Sequence, residues 1–84
     1  MLQYIYKIEG GIAMISYKPL LIILVKKGLN LTQLKEGIKA SSATIAKIKK
    51  NEYVSVRVID DICNFLDCKI EDVIKHIKIK WHLL

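Results

Sequence analysis

The sequence predicts an all-α domain of five short helices with short extensions at both ends. Three observations lead there. The chain has 84 residues, is 52% apolar and holds one proline and four glycines, enough to bury a core and too few breakers for a chain of turns. From Lys18 onward its apolar residues recur at helical spacing. Each interruption of that spacing carries a helix start or stop signal. The length allows one small domain, near the smallest that folds unaided. Collagen-like, proline-rich and disordered classes are excluded, since they cannot bury enough apolar surface to offset chain entropy.

Pro19 suits a first helical turn, where its missing N–H costs nothing, and Gly28 suits the position just past a helix end. Helix one is therefore expected over about 18–27, with Lys26 and Lys27 against its negative carboxyl end. Asn30-Leu31-Thr32-Gln33 is a capping-box variant that starts helix two, which runs to about Glu36 and turns Leu34 and Ile38 inward. Ser41 caps helix three, about 42–50, with Ile45 and Ile48 inward. Ser55 caps helix four, about 56–66, on the stripe Val56, Ile59, Cys63 and Leu66. Helix five is expected over about 70–78 on Ile70, Val73, Ile74 and Ile77, with Glu71 and Asp72 in its first turn and Lys75 and Lys78 near its last.

The two ends read differently. Leu2, Tyr4, Tyr6 and Ile8 alternate with their neighbours, and Ile77-Lys78-Ile79-Lys80-Trp81 alternates too. Strand pairing within or between chains fits this pattern, and so does helix five running on to Trp81. Glu9-Gly10-Gly11 can be encoded by a purine run that resembles a ribosome-binding sequence, with Met14 shortly after. The expected division is thus 1–13 as an N-terminal extension read as translated leader, 14–78 as the domain, and 79–84 as a tail.

Charge is unevenly placed. Residues 18–50 hold eight lysines against Glu36 alone, whereas residues 51–84 mix five basic with six acidic residues, so the net +6 belongs to the middle of the chain. A half-domain so charged repels itself unless it faces a polyanion, and nucleic acid is the obvious one. Thirteen lysines to one arginine, with fifteen isoleucines, is the bias of A+T-rich codons and suggests a low-GC bacterial or phage source. The longest apolar run, Pro19 to Val25, is far below the roughly 18 residues of a membrane span. No signal-peptide order is visible either, so the expected location is cytoplasmic. Cys63 and Cys68 are expected as reduced thiols acting as small hydrophobes, because zinc needs two further ligands and His76 and His82 stand far down the chain. No metal, cofactor or small-molecule ligand is expected.

Helices two and three, separated by Gly37 to Ser41, have the spacing of a helix-turn-helix, with Ala40 small enough to let the helices approach. The outer face of helix three then reads Ser42, Ala43, Thr44, Ala46, Lys47 and Lys50, with short side chains in front and long cations behind. Such a face can enter a major groove, where bulky residues would block approach to the bases.

The stretch Leu29 to Glu36 (LNLTQLKE) followed by Ala40 to Ile48 (ASSATIAKI) resembles the lambda-repressor-like (Cro/XRE-type) helix-turn-helix family. Val56 to Cys68 and Ile70 to Ile74 resemble helices four and five of its small stand-alone bacterial members, so the similarity spans roughly residues 14–78. The chain departs at Lys39, where the family's turn usually has glycine; a lysine there either accepts a left-handed backbone or shifts the turn. The resemblance implies a double-stranded DNA-binding transcriptional regulator that acts as a repressor. It implies base reading by Ser42, Ala43 and Lys47, and phosphate contacts at Leu31, Thr32, Lys49, Lys50 and Asn51. Helix amino ends and lysines are indeed phosphate binders. No Arg, Asn or Gln is placed for bidentate base readout, so modest sequence specificity and steep salt dependence are expected.

An enzyme is not expected. Ser41, Ser42 and Ser55 are explained as caps with no histidine near them in sequence, and Asp60 and Asp61 as helix neighbours point about 100° apart. The stronger rival is an antitoxin-like protein-interaction module. Helix five with Ile79, Trp81, Leu83 and Leu84 supplies an apolar strip too large to leave wet on so small a domain. Self-association is the favoured use of that strip, through Ile77, Ile79 and Trp81, because a homodimer pairs two recognition helices.

Overall fold

The structure, a computed structural model, describes residues 5–83. Four helices form the body: α1 (Lys18–Lys26), α2 (Leu31–Ile38), α3 (Ser42–Lys49) and α4 (Val56–Leu66). A three-stranded antiparallel sheet of β1 (Ile5–Ile8), β2 (Gly11–Ser16) and β3 (Lys75–Lys80) joins the two ends of the chain, in the order β1-β2-β3. The sheet gives the molecule extents of 41 × 23 × 21 Å.

The expected all-α fold is therefore corrected to four helices plus a sheet. Helix five does not form. Ile70–Asp72 make one 3₁₀ turn, closed by Asp72 Oδ2 accepting the Lys69 N–H at 3.1 Å. The chain then extends as β3, because Gly11–Ser16 offers it a partner strand. Isoleucine and lysine alternating over Ile77 to Lys80 suit such a pairing, and β-branched side chains pack well on a pleated surface.

The register places Gly11 opposite both Ile8 and Lys80, and Met14 opposite both Ile5 and Ile77. Met14, the expected natural start, thus falls inside the central strand. Glu9 and Gly10 form the β1–β2 turn, with Gly10 at φ 81°, and the Trp81 N–H donates to the Gly10 carbonyl at 2.8 Å. Gly11 must lack a side chain, since a Cβ there would meet the Ile79 carbonyl. Leu2, Gln3 and Tyr4, whose alternation the sequence shows, lie outside the described residues, as does Leu84 of the tail.

The helix starts follow the sequence closely. Asn30 and Gln33 form the reciprocal box, both bonds at 2.9 Å, and Ser41 and Ser55 cap α3 and α4 by accepting the N–H groups of Thr44 and Val58. α2 extends through Gly37 and Ile38, so the α2–α3 connection is only Lys39 to Ser41. All four helices are followed by a left-handed residue: Gly28, Lys39, Asn51 and Asp67. In each case the next amide reaches back to the last turn, as in Ala40 N–H to Lys35 carbonyl at 3.0 Å and Glu52 N–H to Lys47 carbonyl at 2.8 Å. Lys39, at φ 56°, takes the left-handed option instead of shifting the turn.

The core gathers Tyr17, Leu20, Leu24, Leu34, Ile45, Ile48, Ile59, Ile62, Leu66 and Val73. Val56 and Ile70, expected inside, are 79% and 55% exposed, and Ile62 takes the central place on α4. Cys63 and Cys68 are free, half-buried thiols packed against this core. Burial, then the nearby Cys63 and Asp72, push the Cys68 thiol up, with Lys27 opposing.

Candidate nucleic-acid interface

Two helix starts and one helix face build the site. The α2 box consumes the amide of Gln33, the third helical residue, and leaves those of Leu31 and Thr32 ahead of it. α3 begins at Ser42 just after its Ser41 cap. Between them lies a cleft of about 250 Å³ lined by Leu31, Thr32, Lys35, Ser42, Ile45, Ala46 and Lys49.

The expected base-reading residues Ser42, Ala43 and Lys47 are all exposed on α3, as are Ala46 and Lys49, with Lys50 exposed just after the helix. Ile45 and Ile48 anchor the opposite side of the helix in the core at 7% and 2% exposure, so α3 cannot rotate that face inward without emptying the core. Thr44 does not belong to the outer face. It is half-buried, with its hydroxyl 3.1 Å from the Ser41 hydroxyl.

Of the expected phosphate residues, Thr32, Lys49 and Lys50 are exposed and Leu31 is half-buried against the core. Asn51 is also engaged within the fold. It stands in the left-handed position after α3, and its Oδ1 accepts the Tyr17 N–H at 2.9 Å. The Tyr17 hydroxyl donates to the Glu52 carbonyl at 2.7 Å. Burial raises this phenol above its ordinary value, opposed by a hydrogen bond with the Val54 backbone. Tyr17 thus joins the base of the sheet to the loop that leaves α3. The cleft adds Lys35, which the sequence argument did not single out; its spacing of four from Leu31 and three from Thr32 places it on their side of α2.

The other expected contact residues lie far from this cleft in sequence. Ile77 and Ile79 are half-buried on β3, and Trp81, 49% exposed, opens a final 3₁₀ turn. His76 and His82 are exposed, with His76 Nε2 3.4 Å from the Tyr6 hydroxyl. Among the described residues no group of three His, Cys, Asp or Glu could hold a metal ion. Among them too, no helix is long and apolar enough to cross a membrane.

Comparison with known proteins agrees with this geometry. No curated protein matches the chain. The crystal structure of transcriptional regulator VanUg (form II) is similar, with a TM-score of 0.77 and 33% identity, over 82% of this chain and 91% of that one. The family model for the Cro/C1-type HTH DNA-binding domain matches residues 19–78, which span all four helices but for Lys18, together with most of β3. The chain belongs to the Cro/C1-type helix-turn-helix DNA-binding family.

Proposed function

We propose that the protein is a small transcriptional repressor that binds duplex DNA as a homodimer, with α3 in the major groove. One observation carries this reading. The exposed side of α3 sets small side chains, Ser42, Ala43 and Ala46, beside Lys47, Lys49 and Lys50, next to the amino end of α2. Small residues permit approach to base edges, Ala43 can meet a thymine methyl, and Lys47 can donate to guanine. The α2 amino end and Lys35, Lys49 and Lys50 then hold phosphates, which position the reader without specifying sequence. Likeness to a transcriptional regulator supports the regulatory role.

Fluorescence anisotropy tests it, using duplex from upstream of the protein's own gene and a scrambled duplex across a salt series. Preference for the upstream duplex with a steep salt slope is expected. Equal binding to both would remove the sequence-specific repressor. Absence of binding even at low salt would pass the lead to the protein-interaction reading. One observation favours that reading: α1 exposes Leu21, Ile22 and Val25, which with Lys18 and Lys26 line an apolar surface groove.

A further inference from the structure

The two faces of the sheet differ. On one, the register aligns Tyr6, Ala13 and Lys78 in a row and sets Ile15 opposite His76. Long polar side chains flank Ala13, which is 1% exposed, and Ile15 packs against the helical core. On the other face, Ile5, Met14 and Ile77 form one row, and Lys7, Ile12 and Ile79 the next. Ile12, Met14, Ile77 and Ile79 are half-buried and Ile5 is 52% exposed. None of these five is among the residues that pack against the core. An antiparallel sheet commonly turns its apolar face to its own core. Here the helical body leaves the apolar face uncovered.

We propose that this face, made by Ile5, Ile12, Met14, Ile77 and Ile79, is where a second copy of the chain docks, sheet against sheet. The inference rests on the homodimer reading above and gives it a surface. Charge placement favours a second copy. The charged residues in register on this face are Lys7, beside Ile12 on β1, and Lys75, opposite Ser16 on β3, at diagonal corners of the apolar block. A two-fold axis in the sheet plane, along or across the strands, never sets lysine over lysine. Both lysines sit at the rim, where their stems can cover apolar surface while the ammonium groups stay wet.

Area sets the strength of the pairing. Three strands about 4.8 Å apart and six residues long at about 3.3 Å each present roughly 300 Å² per copy. That is well under the roughly 800 Å² per partner of a stable complex, so the dimer is concentration-dependent and is completed on paired DNA half-sites.

Sedimentation equilibrium of the whole chain without DNA, from low to high micromolar concentration, tests the proposal. A monomer–dimer equilibrium is expected in that range. Met14→Lys and Ile77→Lys should each weaken it about a hundredfold, with helical circular dichroism unchanged. Lys78→Gln, on the opposite face, should leave it as it is. If a lysine variant fails to fold, Ile77→Thr keeps the strand-forming branch and should weaken dimerisation about tenfold. A chain that stays monomeric throughout, or face variants that dimerise as the parent does, would overturn the proposal. Failure here is separable from failure of the DNA reading. A dimer that ignores DNA leaves this face standing, and a monomer that binds a single half-site leaves the DNA reading standing.

Discussion

The helical body and the sheet use the same apolar residues to different ends. Ile45, Ile48, Ile59 and Ile62 are buried in the body, whereas Ile5, Ile12, Ile77 and Ile79 are half-buried or exposed on the sheet. In the body, helix ends are closed by caps and left-handed residues, and all four helices contribute to one core. The sheet touches that core through Ile15 and through Tyr17, which follows β2, and otherwise stands away from it. The body therefore holds the core, and the sheet is a surface carried by it. An isoleucine's meaning depends on what faces it, not on its residue type.

Cavity creation on each side should give the largest contrast. Leu34, 0% exposed, should cost about 3 kcal/mol as Leu34→Ala in chemical denaturation, whereas Met14→Ala should cost less than about 1 kcal/mol at monomer concentrations. Equal costs would make the sheet part of the core. A second contrast concerns DNA. Lys49→Gln with Lys50→Gln should lower the salt slope of binding by about 2 and weaken affinity at every sequence, while Lys78→Gln with Lys80→Gln should change it little. A reversed result would move the phosphate surface onto the sheet.

The junction between the two regions gives a smaller effect. Tyr17→Phe removes the hydroxyl bonded to Glu52 and should cost about 1 kcal/mol in thermal melts. Because burial raises the phenol, the folded state holds its proton more tightly than the unfolded chain does. The parent's stability should thus be flat near neutrality with respect to this group and fall as pH climbs past 10.0, a loss that Tyr17→Phe lacks. The smallest effect belongs to Lys39→Gly. Relief of a left-handed lysine outweighs the added freedom of the unfolded chain, for a gain of about 0.5 kcal/mol.

What the sequence made legible was local. Pro19, Asn30, Ser41 and Ser55 mark four helix starts because capping is settled within three or four residues, and the structure agrees at each. Residues 70–78 were not legible, since Ile70, Val73, Ile74 and Ile77 satisfy a helical period while Ile77 and Ile79 satisfy a strand period. The decision lay with Gly11–Ser16, at the other end of the chain. Alternation at both ends was visible, but their partnership was not. The outward face of α3 was read correctly for Ser42, Ala43 and Lys47 because Ile45 and Ile48 fix its rotation. The bond from Tyr17 to Asn51 could not be read, because it is likewise non-local.

The pairing of Gly11 with Lys80 also orders events in time. Helices α1 to α4 pack through contacts closer in sequence, whereas β2 must wait for a strand that follows only after all four helices. Such distant closures are slow, so the body is expected to form first and the sheet to zip last. Until then the apolar face does not exist as a surface, and chains still emerging from neighbouring ribosomes have nothing flat to stick to.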